Sequence, residues 1–110
     1  MPETKPSYTF NKLNRYMTRG IQNDLPFELQ FLIWSCVDEL VESATETDYL
    51  QVFKLERKDG IYYLTHTQEQ PPYMKVHKLK NLESFDMRSD MKIYVIDDIT
   101  HSTMLFASEY

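Results

Sequence analysis

The sequence predicts an α+β fold: one long amphipathic helix packed on a mainly antiparallel sheet of about five to six strands. Three observations carry this. An apolar period of 3.6 residues runs from Pro26 to Ser43. An Asp59-Gly60 pair separates two runs rich in aromatic and β-branched residues. Further short runs of the same composition follow, bounded by Pro, Asp and Ser.

In chain order, residues 1–13 hold two prolines and no sustained period. They read as a flexible N-terminal arm that can tack Tyr8 or Phe10 onto the surface of a single domain spanning 14–110. Arg15 to Ile21 has strand composition, with Gly20 as a bulge or close-approach point. Asn23-Asp24-Leu25-Pro26 then reads as a helix entry, Asp24 capping free amides and Pro26 taking the first turn. At 100° per residue the arc from Leu32 through Cys36, Leu29, Leu40, Ile33, Val37, Val41 and Trp34 to Phe27 covers about 220° and is broken only by Gln30. So wide an arc calls for a second cover beyond the sheet, either the arm or a second copy of the chain in a homodimer.

The remainder reads as strands. Tyr49 to Arg57 and Ile61 to Gln68 form a hairpin, and a two-residue turn at Asp59-Gly60 sets Leu55 opposite Leu64 and Phe53 opposite His66. Glu69-Gln70-Pro71-Pro72 forces a loop before Tyr73 to Leu79, because consecutive prolines cannot donate to a ladder. Asn81 to Asp90 is a connection, and Lys92 to Ile96 with Thr103 to Ala107 form a last pair around Asp97 to Ser102.

Composition narrows the function classes. With 110 residues and 42% hydrophobic content, the chain can bury a core without disulfides or structural metal. The single cysteine, Cys36, lies in an apolar run and fits a reducing, cytoplasmic compartment. Residues 1–15 lack a secretory pattern, and the apolar stretch Phe31 to Val37 is far short of a membrane span. The net charge of −5 is unevenly spread: residues 24–48 hold seven acids and no base, whereas residues 1–23 carry a net +3. With pI near 5.1, direct nucleic-acid binding by the domain as a whole is disfavoured. The simplest role for Arg15 and Arg19 is to neutralise part of the acidic helix within the same molecule.

Candidate chemistry is sparse. His66 and His77 fall opposite each other if the second hairpin turns at Pro71-Pro72, offering two ligands of a metal site, but no third ligand follows from the sequence. Asp97-Asp98 with His101 and Ser102 combines carboxylate, imidazole and hydroxyl, the ingredients of acid-base or nucleophilic chemistry, but short polar residues bonding their own backbone in a turn are the simpler reading. Phosphate-cradling glycine loops, paired-cysteine motifs and nucleophile elbows are absent, so no cofactor is expected.

Arg15-Tyr16-Met17-Thr18-Arg19-Gly20-Ile21-Gln22, Leu25 to Gln30 leading to Trp34 and Asp38-Glu39-Leu40, Asp48 to Phe53, Gln68 to Pro71, and Val95 to Asp98 with His101 to Leu105 resemble a small bacterial family. That family is known as domain of unknown function 960, and the resemblance covers residue 14 onward. It implies a compact cytoplasmic protein of bacterial and phage-related genomes and supplies no activity.

These readings lead to a non-enzymatic binding or regulatory protein acting through a protein partner on the acidic helix face. On the helical wheel Phe31 lies among Asp38, Glu42, Ser35 and Glu28, an aromatic anchor ringed by polar and acidic groups that suits an apolar pocket with a basic rim. A sharper form is a phage-type inhibitor occupying a nucleic-acid-binding groove of a host enzyme. The alternative is a small hydrolase or metal-dependent enzyme built on His66 and His77 or on the Asp97 to Ser102 loop.

Overall fold

The computed structural model describes residues 8–43, 46–79 and 90–110. Its elements are β1 (Arg15–Met17), α1 (Arg19–Asp24), α2 (Phe27–Ser43), β2 (Leu50–Lys58), β3 (Ile61–Gln68), β4 (Tyr73–Leu79), β5 (Met91–Asp97) and β6 (Ser102–Phe106), closed by a 3-10 turn at Ala107–Glu109. The fold is α+β, with a six-stranded sheet ordered β1-β6-β5-β2-β3-β4 and one main helix. All pairs are antiparallel except β1 with β6.

The strand predicted over Arg15 to Ile21 is corrected to three residues. Thr18 ends it, because its side chain accepts from the Ile21 N–H and starts α1. Gly20 therefore sits in a helical turn rather than a bulge. A Cβ there would lie 2.7 Å from Glu109 Oε2, so the glycine admits the C-terminal turn.

The entry to α2 also differs from expectation. Asp24 closes α1, and the Pro26 carbonyl accepts from the Leu29 and Gln30 N–H groups, one position ahead of the helix. Leu29, Gln30, Ile33, Cys36, Val37 and Leu40 are buried. Gln30 interrupts the apolar arc yet is buried, since its amide donates to the Leu25 and Ile21 carbonyls and satisfies the end of α1. Phe27, assigned to the core arc, is 73% exposed, because Ile21 and Leu25 of the preceding segment fill the space beside Leu29.

The first hairpin has the predicted register, Leu55 opposite Leu64 and Phe53 opposite His66. Asp59 and Gly60 both have positive φ, as a two-residue turn matching strand twist requires. The second hairpin is corrected. Gln68 pairs with Tyr73, centring the loop on Gln70-Pro71, so His66 faces Lys75 and His77 faces Leu64.

One sheet face carries Phe53, Leu55, Tyr62, Leu64, Ile93, Val95 and Met104, which form the core with the α2 residues. Phe10 is fully buried in that core, deeper than a surface tack, and its N–H donates to the buried Asp97 carboxylate at 3.0 Å. The core residues of α2 lie on this side, and on the opposite sheet face Tyr110, which follows the 3-10 turn, packs edge-on against Tyr94 at 5.7 Å. The predicted connection over 81–90 lies, apart from Asp90, outside the described residues.

Candidate functional site

The exposed side of α2 follows from its period: what the core leaves out is Phe27, Glu28, Phe31, Ser35, Asp38, Glu39 and Glu42. Phe31 is 65% exposed, and Phe27, one turn earlier, stands beside it. Ser35 spends its hydroxyl on the Phe31 carbonyl at 2.9 Å. Glu28 and Glu42 are exposed and form no ion pair with a described residue.

Asp38 behaves differently. It accepts from both terminal nitrogens of Arg15, whose guanidinium also donates to the Phe10 carbonyl and lies 4.6 Å over the Trp34 ring. This clamp ties the arm, β1 and α2 together and takes up the Asp38 charge. Glu39 is likewise held by Lys75, whose hydrogen bond lowers the carboxyl's titration and raises the ammonium's.

Beside Phe27 an open cleft of about 550 Å³ lies between the two helices and β1, lined by Met17, Asn23, Asp24, Pro26, Phe27 and Gln30. It brings one carboxylate and a half-exposed methionine next to the aromatic pair. No element of the sequence reading pointed to this cleft, because it depends on the α1 turn that the sequence presented as strand.

The remaining candidates occupy other places. His66 is fully buried, stacked 4.2 Å from the Phe53 ring and edge-on to Tyr73. Its Nε2 is 2.6 Å from Gln51 Oε1, its Nδ1 has no partner among the described residues, and burial pushes its pKa down to about 4. His77 Nε2 lies 3.4 Å from the Cys36 sulfur. This pair is no activated nucleophile, since burial pushes the Cys36 thiol up to about 11 and keeps it protonated. Among the described residues no three His, Cys, Asp or Glu side chains converge as metal ligands.

The Gln51 and Gln68 amides link to each other at 2.8 Å beneath His66. The sequence signal for them was their parity, since both fall on the core-facing alternation of β2 and β3.

The Asp97 to Ser102 loop is occupied by turn chemistry. Asp98 Oδ1 accepts from Thr100 N, Thr100 Oγ1 and His101 N, and the His101 backbone bond leads in holding its carboxyl below the usual range. Asp97 accepts from the Phe10 and Ile99 amides, and the buried Ser102 hydroxyl has no partner among the described residues.

No helix among the described residues is long and apolar enough to cross a membrane. No curated protein matches the chain. Its fold is similar to a crystal structure of a protein of unknown function from Enterococcus faecalis, with TM-score 0.78, 24% identity and coverage of 93% of this chain and 95% of that one. Residues 14–109 match the family described as Staphylococcal protein of unknown function, DUF960, and the chain belongs to that family.

Proposed function

We propose that the chain is a non-enzymatic binding protein that acts through a protein partner on the exposed face of α2. The observation that carries this reading is the pair of aromatic rings, Phe27 and Phe31, standing in solvent one helical turn apart, with Glu28 beside them and Glu42 about three turns further along the helix, neither in an ion pair with a described residue. Buried in a partner, two phenylalanine rings supply most of the area that a central hot spot needs. The carboxylates steer approach toward a basic rim, chemistry that nucleic-acid-binding grooves of enzymes present. An inhibitor occupying such a groove is the sharper form of this reading, and a cytoplasmic setting suits it. α2 is then an amphipathic helix with one face for the core and one for the partner.

The test is affinity capture from host cells with the wild-type chain and Phe31→Ala in parallel, followed by measured binding of the recovered protein. Phe31→Ala should keep folding stability within about 1 kcal/mol and weaken the complex by about 2 kcal/mol or more. Glu28→Lys with Glu42→Lys should slow association. A partner that binds all these variants as tightly as the wild type refutes the face.

A further inference from the structure

We infer that the helix-free face of the sheet is a binding surface for single-stranded nucleic acid. Strand alternation sends Phe53, Leu55, Leu64 and Ile93 into the core, so Lys54, Lys58, Tyr63, Thr65, Lys78, Lys92 and Tyr94 share the other side. Four lysines thus gather on a chain whose net charge is −5. On the same strands the carboxylate facing them is Glu56, with Asp90 at the entrance to β5.

The register makes the arrangement specific. Lys54 and Lys92 are direct cross-strand partners. Like charges directly opposite each other destabilise a sheet, and a bound anion removes that cost. Glu56 offsets it in part, at 3.9 Å from Lys54 Nζ, while Lys92 Nζ rests 5.8 Å over the Tyr94 ring.

Tyr63 lies diagonally to one side of this lysine pair and Tyr94 to the other, because Glu56 pairs with Tyr63 and Val52 with Tyr94. Two strand spacings and four residues separate the rings, about 16 Å. Thr65 stands beside Lys54, and Lys78 stands opposite Tyr63.

A ring, a pair of cations and a second ring on an open sheet form a platform where bases stack and phosphates pair between them. An incoming phosphate draws Lys92 off the Tyr94 ring, and a base stacks there once the Tyr110 ring, which packs edge-on against Tyr94 at 5.7 Å, swings aside. This surface is on the opposite side of the sheet from α2, so it stands independently of the proposed partner face. It also qualifies the exclusion drawn from net charge, since the block of residues 24–48, seven acids without a base, lies outside the strands that carry these lysines.

The test is fluorescence anisotropy of a labelled oligo-dT and an oligo-U of about 12 nucleotides with the full chain, at about 50 and 200 mM salt. Contacts from three lysines predict about an 18-fold weakening over that fourfold salt increase. Lys54→Gln with Lys92→Gln should weaken binding at least about tenfold while leaving the melting temperature unchanged or raised, because the pair repels. Lys78→Gln gives a smaller loss as an independent reading. Tyr63→Leu and Tyr94→Leu should each weaken binding about fivefold or more with the salt slope intact.

Absence of binding at about 100 μM chain overturns the inference. So does polyglutamate that competes as well as the oligonucleotide while the tyrosine variants bind normally, an outcome that assigns an acidic protein. Self-association in light scattering that disappears in the double lysine variant overturns it too and assigns a second copy of the chain.

Discussion

Lowering the pH should destabilise this protein through His66. The imidazole is fully buried against Phe53, Tyr73 and Gln51, and burial pushes its pKa down to about 4 from an ordinary value of 6.5. The native state therefore holds His66 neutral, while the unfolded chain takes up a proton near pH 6.5. Stability is complete above that value, falls as pH drops toward 4, and loses nothing more from this group below it. At pH 4.5 the loss from His66 is about 2 to 3 kcal/mol relative to pH 7.5. His77, also pushed down by burial, adds in the same direction. The isolating variant is His66→Phe, which keeps a ring against Phe53 and removes the titration, at the expense of the Gln51 hydrogen bond. Urea unfolding followed by Trp34 fluorescence at pH 7.5 and 4.5 should show the wild type losing about 2 to 3 kcal/mol more than His66→Phe across that interval. Equal losses in the two proteins refute a buried neutral imidazole at this position.

Leu40→Ala should lower stability by about 2 to 5 kcal/mol, because Leu40 is buried on the core side of α2; a loss under about 0.5 kcal/mol in urea titration contradicts that placement. Gly20→Ala should destabilise by no more than about 1 kcal/mol, since the new methyl meets only the carboxylate end of the exposed Glu109, which moves aside at the expense of its bonds from Thr18 Oγ1 and the Phe106 N–H while alanine favours the helical turn. Adding Glu109→Ala should recover part of that loss in a double-mutant cycle, and strict additivity tells against the contact. Ile99→Gly should raise stability by about 1 kcal/mol in thermal melts, because Ile99 holds a φ of 82° at 69% exposure and has little packing to lose.

Local chemistry explains which parts of the fold could be read from the sequence. Asp59-Gly60 dictates its own turn and, through it, every pairing from Lys58 with Ile61 to Val52 with Thr67. The period of α2 similarly placed Leu29, Ile33, Cys36, Val37 and Leu40 inward. Errors arose where a tertiary partner decides. Arg19 to Asp24 has strand-like residues, yet Thr18 caps a helix there because Glu109, distant in sequence, and Gln30 of the next helix complete its two ends. The second hairpin slipped by two residues because a proline pair fixes that a loop exists but leaves its centre open. Gln68 sets the centre by donating to the Pro71 carbonyl at 3.0 Å. That slip removed the facing histidines.

The candidate sites were legible to different depths for the same reason. Phe31 stood out because a helical wheel needs only the local period, and Phe27 was misassigned because its exposure depends on Ile21 and Leu25 filling the neighbouring space. Asp38 looked like a steering charge beside Phe31. Its capture by Arg15 is a contact across 23 residues that no periodicity encodes. Charge counted along the chain gathers seven acids into one block, whereas charge counted by strand parity puts Lys54, Lys58, Lys78 and Lys92 on one side of the sheet. A phosphate within a Debye length of about 8 Å responds to the second distribution, because the helix carboxylates lie beyond the core and are screened. For a sheet covered on one side only, the sign of the exposed face follows from alternation, and the net charge does not decide what that face can bind.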